Sequence, residues 1–191
     1  MSLSIVEENS RGSREITLES KLFSERKLFL GDINRQSADD FAKAMMYLSR
    51  SGEPINVYIN SFGGEVNSGL LICDLIQNVK APVNMYCLGC AYSMAAVILA
   101  AGAKGRRFIL PHGRVMIHEP LLAGGVSGSA TSISMISDTI IEMRDIVNGI
   151  LAEHTGKTRE EINKATAFDN LMNARQAVEF GICDKIAQSP F

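Results

Sequence analysis

The stretch Leu88-Gly-Cys-Ala-Tyr-Ser-Met-Ala-Ala-Val-Ile-Leu-Ala-Ala-Gly-Ala103 organises the rest of the chain. It follows an apolar run, presents one hydroxyl at Ser93, and continues as an alanine-rich apolar segment. This pattern predicts a strand, a turn at Gly89 and a buried helix that begins at Ser93. The first turn of a helix has free backbone N–H groups that favour negative charge. Ser93 is therefore either a helix cap or a nucleophile. A nucleophilic serine needs a base and other partners elsewhere in the chain, so their presence distinguishes the two roles.

The unit before this stretch has the same design. A strand over residues 55–60 leads into Ser61-Phe-Gly-Gly64, and a helix follows over residues 66–79. Repeated units of strand, glycine turn and helix predict an α/β fold with a parallel sheet and helices packed on it. Ligands of such sheets bind beyond the carboxyl ends of the strands, where Gly64 and Ser93 both fall. Further short strands are expected over residues 27–30, 106–110, 114–117 and 182–186.

The remaining segments fit one domain over residues 18–191, preceded by a polar arm over residues 1–17. Ser37 predicts the cap of one helix. After a glycine-rich loop over residues 124–130, apolar residues recur at spacings of three and four, which predicts a long helix with a narrow apolar seam. That seam packs either on the chain's own core or against another subunit. Its members are Ile133, Ile136, Ile140, Met143, Val147 and Ile150.

Composition excludes several classes of function. The chain has 191 residues and a net charge of −2, so neither nucleic acid nor an anionic membrane is expected as a partner. The first residues lack the features of a signal peptide, which favours a cytoplasmic location. Residues 81–103 carry no charge, but Pro82 and Asn84 interrupt them, so a membrane span is not expected. Cys87-Leu-Gly-Cys90 has no companion ligands for zinc, so we expect reduced thiols and no metal or cofactor, with redox sensing as the alternative.

Acyl transfer by a serine needs a base and a group that orients the base. His118 ends a predicted strand and is the best candidate for the base. His112 lies in a turn, and His154 lies near a helix end, where it complements the helix dipole. Asp169, between two predicted helices, is the candidate for the orienting acid.

Such a reaction also needs donors for the oxyanion. Gly63 and Gly64 allow backbone N–H groups to approach a substrate closely, because they carry no side chain. The N–H of Met94, one residue after Ser93, is a natural second donor.

Six motifs follow one another along the chain: Tyr58-Ile-Asn-Ser-Phe-Gly-Gly64, Tyr92-Ser-Met-Ala95, Ala100-Ala-Gly-Ala-Lys-Gly105, Arg114-Val-Met-Ile-His-Glu-Pro120, Glu153-His-Thr-Gly156 and Asp169-Asn-Leu-Met172. Together, and in this order, they resemble the ClpP family of serine peptidases over residues 11–186. The resemblance implies that Ser93 is the nucleophile, that His118 is the base and that Asp169 orients it. It also implies that Gly64 and Met94 supply the oxyanion N–H groups.

The resemblance further implies an architecture of β-β-α units with a protruding strand and helix, the handle, over about residues 121–156. Members form stacked heptameric rings, and an AAA+ unfoldase feeds polypeptide through an axial entrance lined by the N-terminal arm. The substrate would lie as an added strand between Gly63 to Val66 on one side and Leu121 on the other. The apolar cleft that docks the unfoldase would contain Tyr58, Tyr86, Leu88, Phe108 and Leu110.

The chain departs from the family pattern beside the proposed site. Phe62 replaces a proline before the glycine pair, Tyr92 replaces an alanine before the nucleophile, and Glu119 replaces a glutamine. Phe168 replaces an arginine associated with contacts between rings. These departures are typical of a divergent paralogue that works with a second ClpP subunit. Two alternatives follow: a catalytically weak structural subunit of a mixed complex, or a crotonase-like enzyme acting on acyl-CoA.

Overall fold

The computed structural model describes residues 3–9, 12–122, 124–125 and 127–188. Parts of the expected N-terminal arm (residues 1, 2, 10 and 11) and of the glycine-rich loop (residue 126) lie outside the described residues. The strands are β1 (Ser4–Asn9), β2 (Gly12–Thr17), β3 (Lys27–Leu30), β4 (Ile55–Ser61), β5 (Val83–Tyr92), β6 (Arg107–Ile109), β7 (Arg114–Ile117), β8 (Asn170–Asn173) and β9 (Lys185–Ile186). The helices are α1 (Leu18–Ser24), α2 (Arg35–Leu48), α3 (Val66–Asn78), α4 (Met94–Ala100), α5 (Ala130–Thr155), α6 (Arg159–Thr166) and α7 (Ala174–Phe180).

A parallel sheet forms the centre of the fold, in the order β3-β4-β5-β6-β9. Parallel neighbours need crossover connections, and α2, α3 and α4 supply them. Strand β7 pairs in parallel with the end of β5, and β8 pairs antiparallel with β7. The α/β class with a parallel sheet, predicted from the repeated units, is confirmed.

Strand β5 is longer than predicted because Gly89 does not form a turn. The strand continues through Gly89 to Tyr92, and the chain turns only at Ser93. The register with β4 shifts between Ile59, which pairs with Cys87, and Ser61, which pairs with Ala91. Three residues of β5 therefore oppose one residue of β4. The first half of β5 pairs with β6 and the second half with β7, so this bulge separates two segments of β5 that have different partner strands.

Helix α4 is the centre of the core. All seven of its residues are buried, which explains its continuous apolar sequence without polar face. The predicted cap of α2 was wrong in one detail: the cap is Asn34, and the Ser37 hydroxyl accepts a hydrogen bond from the Asn34 N–H in a reciprocal capping box. Among the described residues, no helix is both long enough and apolar enough to cross a membrane.

Two elements extend from this core. Strands β1 and β2 form an antiparallel hairpin that pairs only with itself in the described part of the chain, anchored by the ion pair of Lys21 with Glu7 at 2.7 Å. Helix α5 has 26 residues, but its buried residues are Val147, Asn148 and Leu151 near its C-terminal end. No residue in the first half of α5 is buried by the described part of the chain, and we call it the uncovered half.

Candidate active site

Ser93 lies at the point where β5 turns into α4. Its backbone has φ 54° and ψ −126°, a conformation that residues other than glycine rarely adopt. Its N–H donates to the carbonyl of Met116 at 2.8 Å, which fixes the turn against β7. The hydroxyl does not cap α4. The capping role that the sequence left open is therefore absent, and the strained turn leaves the hydroxyl available.

The loop of Gly63 and Gly64 is packed directly against this turn. A Cβ added to Gly63 would lie 2.8 Å from the Cβ of Ser93 and 2.8 Å from the carbonyl oxygen of Tyr92. Gly63 has φ 98°, and a Cβ on Gly64 would overlap the backbone of Ile33. Only glycine therefore fits at both positions, as expected for a backbone that approaches a reacting group.

Two backbone N–H groups beside this turn and its glycine loop have no acceptor among the hydrogen bonds of the described residues. Met94 is the first residue of α4, so its N–H has no acceptor within the helix. Ile33 is hydrogen-bonded to both neighbours of Gly64. Its N–H donates to the carbonyl of Gly63, and its carbonyl accepts from the N–H of Glu65. Among the hydrogen bonds of the described residues, none uses the N–H of Gly64. These two groups are the expected type of donor for an oxyanion.

Ser61 shapes this loop and was not assigned a role from the sequence. Its side chain is buried, and its hydroxyl accepts a hydrogen bond from the N–H of Gly63 at 3.0 Å. A serine two residues before a glycine is a known turn signal, so the sequence did contain it. Asn60 holds the neighbouring strand, since its side-chain oxygen accepts from the N–H of Cys90 at 3.1 Å within the bulge.

Strand pairing brings His118 and Asp169 to the same edge as Ser93. Tyr92 pairs with Met116 across β5 and β7, and Ile117 pairs with Asn170 across β7 and β8. Ser93 directly follows Tyr92, His118 directly follows Ile117, and Asp169 directly precedes Asn170. Asp169 lies between α6 and α7, as expected, and directly precedes β8, a strand that the sequence did not predict.

The hydrogen bonds of the described residues do not join the three side chains to one another. His118 is half-buried, and its Nδ1 lies 2.6 Å from the carbonyl oxygen of Glu119. The carboxylate of Asp169 is exposed, and the hydrogen bonds and ion pairs of the described residues do not include it. The backbone thus assembles the three residues, while the hydrogen bonds of a triad are not made.

The residues expected to bind an extended substrate lie on either side of this edge. Gly63 is buried in the loop, and Val66 begins α3 and is half-buried. Leu121, three residues after His118, is 76% exposed. No contact between Leu121 and the loop is among those of the described residues.

Three of the five expected docking residues, Tyr58, Tyr86 and Phe108, form a row of stacked rings with Phe29 across four strands. Tyr58 stacks on Phe29 at 5.2 Å and on Tyr86 at 5.2 Å, and Tyr86 stacks on Phe108 at 4.9 Å. Tyr58 is only 2% exposed, so its ring supports the row from within. Phe29, which the sequence did not single out, is 58% exposed. Leu88 and Leu110 are half-buried.

The cysteines are four free thiols. Burial raises the pKa of Cys87 to about 12 and also raises the pKa of Cys90, so neither thiol favours the reactive thiolate. In the part of the chain that the structure describes, no group of three or more acidic, histidine or cysteine side chains could hold a metal ion.

A comparison with protein families agrees with this geometry. The family model described as "Clp protease" matches residues 10–190 of the 191 residues. The match covers every residue of the candidate site.

Proposed function

This chain belongs to the Clp protease family, and from that premise we propose that it is a serine-type endopeptidase that cleaves unfolded polypeptides and short peptides through an acyl-enzyme on Ser93. Family membership itself assigns the chain to the peptidases. The nucleophile, the triad and the partners are the proposal. The observation that carries it is the strained turn at Ser93, whose hydroxyl does not cap the helix that follows.

In the proposed reaction the Ser93 Oγ attacks the substrate carbonyl carbon, and its proton passes to Nε2 of His118. The carbonyl oxygen becomes an oxyanion that accepts hydrogen bonds from the N–H groups of Gly64 and Met94. The C–N bond then breaks, and the leaving amine takes the proton from His118. Water attacks the acyl-enzyme with His118 as base, and releases the acid product and the free serine. Asp169 orients the imidazole during both steps.

The assembly belongs to the same proposal. We expect heptameric rings, stacked in pairs, with the uncovered half of α5 between subunits. An AAA+ unfoldase would dock on the row of rings that includes Phe29 and Tyr86, and the β1–β2 hairpin would lie at the axial entrance. Four free cysteines are consistent with a reducing, cytoplasmic location.

A second candidate function is a structural subunit in a mixed complex with another Clp protease subunit. It is favoured by the hydrogen bond between His118 Nδ1 and the Glu119 carbonyl, which leaves Asp169 unengaged. It is also favoured by Phe168, an aromatic residue next to Asp169 that is almost fully exposed. In this alternative the triad forms only in the mixed complex, or not at all.

Labelling with a fluorophosphonate tests the proposal directly, because the reagent reacts with an activated serine. The full chain is tested alone and after mixing with a second Clp protease subunit whose own nucleophile has been replaced by alanine. We expect label on Ser93, located by peptide mass spectrometry, and hydrolysis of peptides that disappears in Ser93→Ala. Ser68→Ala, at a hydroxyl bonded to Glu65, is the control and must keep the label. Absence of label on Ser93 in both preparations would refute the peptidase proposal and leave the structural role.

A further inference from the structure

A row of polar side chains lies beside the row of rings on the same face of the sheet. Lys27 pairs with Asn56 across β3 and β4, and Asn56 pairs with Asn84 across β4 and β5. Arg106, directly before β6, continues this line. Each of the four residues stands two positions before a ring of the row, and residues two apart on a strand face the same side. We call these four residues the polar row.

Hydrogen bonds run in one direction along the polar row. Nη1 of Arg106 donates to Oδ1 of Asn84 at 2.8 Å, and Nδ2 of Asn84 donates to Oδ1 of Asn56 at 2.9 Å. A guanidinium only donates, so Arg106 fixes the orientation of the Asn84 amide, and Asn84 in turn fixes that of Asn56. Among the hydrogen bonds of the described residues, none uses Nδ2 of Asn56. The side-chain oxygens of the row are therefore engaged, while N–H donors are left for a ligand.

The uncompensated charge of the polar row is that of Arg106. Lys27 forms an ion pair with Glu25 at 3.0 Å, which compensates its charge. Among the ion pairs of the described residues, none includes Arg106, and its side chain is half-buried. A half-buried cation beside N–H donors favours a carboxylate over a neutral group, because hydrogen bonds between charged partners are shorter and stronger.

We infer that this surface selects a partner loop in which a carboxylate lies within two residues of a large apolar side chain. The apolar side chain packs on the rings of Tyr86 and Phe108, and the carboxylate accepts hydrogen bonds from Arg106 and Asn56. Two residues along a strand span about 6.6 Å, a distance that one or two residues of an extended loop match. The occupant is a loop of the AAA+ unfoldase, so the inference rests on the docking that belongs to the proposed function.

The polar row also discriminates against a loop that is entirely apolar. Such a loop would cover the row together with the rings, and the N–H groups of Arg106 and Asn56 would lose water without gaining an acceptor. Burial of polar groups without hydrogen bonds costs free energy. The rings therefore provide apolar contact, and the polar row determines which loops can use it.

The test uses short capped peptides that carry a photoreactive benzoylphenylalanine, then one glycine, then aspartate, asparagine or lysine. Photo-crosslinking to the full chain captures weak binding, and peptide mass spectrometry locates the crosslinked residues. We expect crosslinks on β5 and β6 beside the row of rings. The crosslink yield should be half-maximal at an about tenfold lower concentration for the aspartate peptide than for the asparagine peptide, and the lysine peptide should bind most weakly.

Asn56→Asp is the most informative variant, because it keeps the oxygen that accepts from Asn84 and replaces the amide nitrogen by a second carboxylate oxygen. We expect this variant to lose the preference for the aspartate peptide and to bind the lysine peptide better than the aspartate peptide. Arg106→Gln should bring the ratio between the aspartate and asparagine peptides to about one, and Arg106→Lys, which keeps the charge, should restore most of it.

Two control variants make the same changes outside the polar row. Asn163→Asp keeps the oxygen that accepts from Asn148 at 2.8 Å, and Arg175→Gln removes an exposed charge from α7. Both must keep the wild-type ratio, and a loss of the ratio in either of them would contradict a specific role of the polar row.

The outcomes separate the inference from the function on which it rests. Crosslinks beside the row of rings with equal half-maximal concentrations for the three peptides would overturn the inference while the docking stands. A preference for aspartate that persists in both Asn56→Asp and Arg106→Gln would overturn it as well. Crosslinks that lie only elsewhere would overturn the docking and the inference together. Fluorophosphonate labelling of Ser93 in the same preparations reports on the peptidase function independently, because the peptides are measured by binding and not by hydrolysis.

Discussion

Nδ1 of His118 donates to the carbonyl oxygen of Glu119, the next residue, across 2.6 Å. A carbonyl oxygen only accepts, so this contact places the proton on Nδ1 and leaves Nε2 of the neutral ring as an acceptor. That tautomer is the one a general base needs toward a serine hydroxyl. The backbone of Glu119 thus holds His118 in the correct tautomer before Asp169 takes any part.

Substitution of Asp169 decides whether the carboxylate is nevertheless required. In the proposed reaction, His118 turns from the Glu119 carbonyl to Asp169, whose charge stabilises the imidazolium formed by proton transfer. We expect Asp169→Asn to lower kcat by about 10³ to 10⁴ with little change in KM. The exposed Asp39 on α2 provides the control, and Asp39→Asn is expected to keep wild-type kinetics. A loss of less than about tenfold would show that the carbonyl of Glu119 is sufficient to orient the base.

Ser61 is predicted to support the oxyanion loop. Ser61→Ala leaves the N–H of Gly63 without its acceptor, at a cost of about 1–3 kcal/mol. Because the loop is packed against Ser93, we expect kcat to fall by about 10- to 100-fold, and Ser61→Thr to restore most of it. Steady-state kinetics and the rate of fluorophosphonate labelling measure the effect.

The control has the same local motif away from the site. The Ser51 hydroxyl accepts from the N–H of Glu53, two residues on, at 3.3 Å on the surface. Ser51→Ala should leave both rates unchanged. Equal effects of the two alanine variants would mean that Ser61 has no specific role in the loop.

Side-chain chemistry and spacing were sufficient to predict the parallel sheet and to nominate Ser93, His118 and Asp169. Apolar periodicity and glycine positions depend on local physics, which a sequence displays directly. The features that were missed depend on partners distant in the chain. We predicted a turn at Gly89 because glycine is common in turns. Instead, Asn60 occupies the position of β4 opposite the bulge, which allows β5 to continue through Gly89.

Backbone groups explain the rest of what the sequence could not predict. Strand β8 has only four residues, and they form a strand because they pair with β7. The hydrogen bond from His118 is accepted by the backbone carbonyl of Glu119. Every residue has such a carbonyl, so the residue type at position 119 could not predict this hydrogen bond. One contact between side chains was missed for a related reason: the rings of Phe62 and Tyr92 lie 5.7 Å apart, but the two residues are 30 positions apart in the sequence, and only the fold brings them together.

A buried ion pair links β6 to the segment before β9 and is predicted to make stability depend on pH. Asp184 accepts hydrogen bonds from the Arg107 guanidinium at 2.6 and 3.0 Å and from the N–H of Gly105 at 2.8 Å. Burial alone would raise the pKa of Asp184, but the Arg107 contacts outweigh it and hold this pKa below its ordinary value of 3.8. The folded state therefore binds the proton less well than the unfolded state.

The stabilisation from Asp184 is present above the unfolded-state pKa and is lost as the pH falls through the folded-state value. At neutral pH we expect Asp184→Asn to cost about 3–5 kcal/mol, because it leaves Arg107 buried without its counter-charge. The difference in melting temperature from wild type should shrink below about pH 4. Asp40→Asn breaks the exposed pair with Lys43 and should cost less than about 1 kcal/mol. A pH-independent difference for Asp184→Asn would contradict this account.

The uncovered half of α5 is predicted to hold subunits together. Ile133, Met135 and Ile141 are exposed on α5, whereas the buried residues of this helix are Val147, Asn148 and Leu151, near its C-terminal end. Exposed apolar side chains on a helix that extends about 39 Å gain stability when another surface covers them. Ile133→Glu and Ile141→Glu should therefore shift native mass spectra toward smaller assemblies at micromolar concentration. The far-ultraviolet circular dichroism should not change, since no core contact is lost. Ser137→Glu adds the same charge at an exposed polar position of α5 and should leave the assembly intact. If the two isoleucine variants keep the wild-type mass, α5 does not hold the subunits together, and the contact between them must lie on another face of the fold.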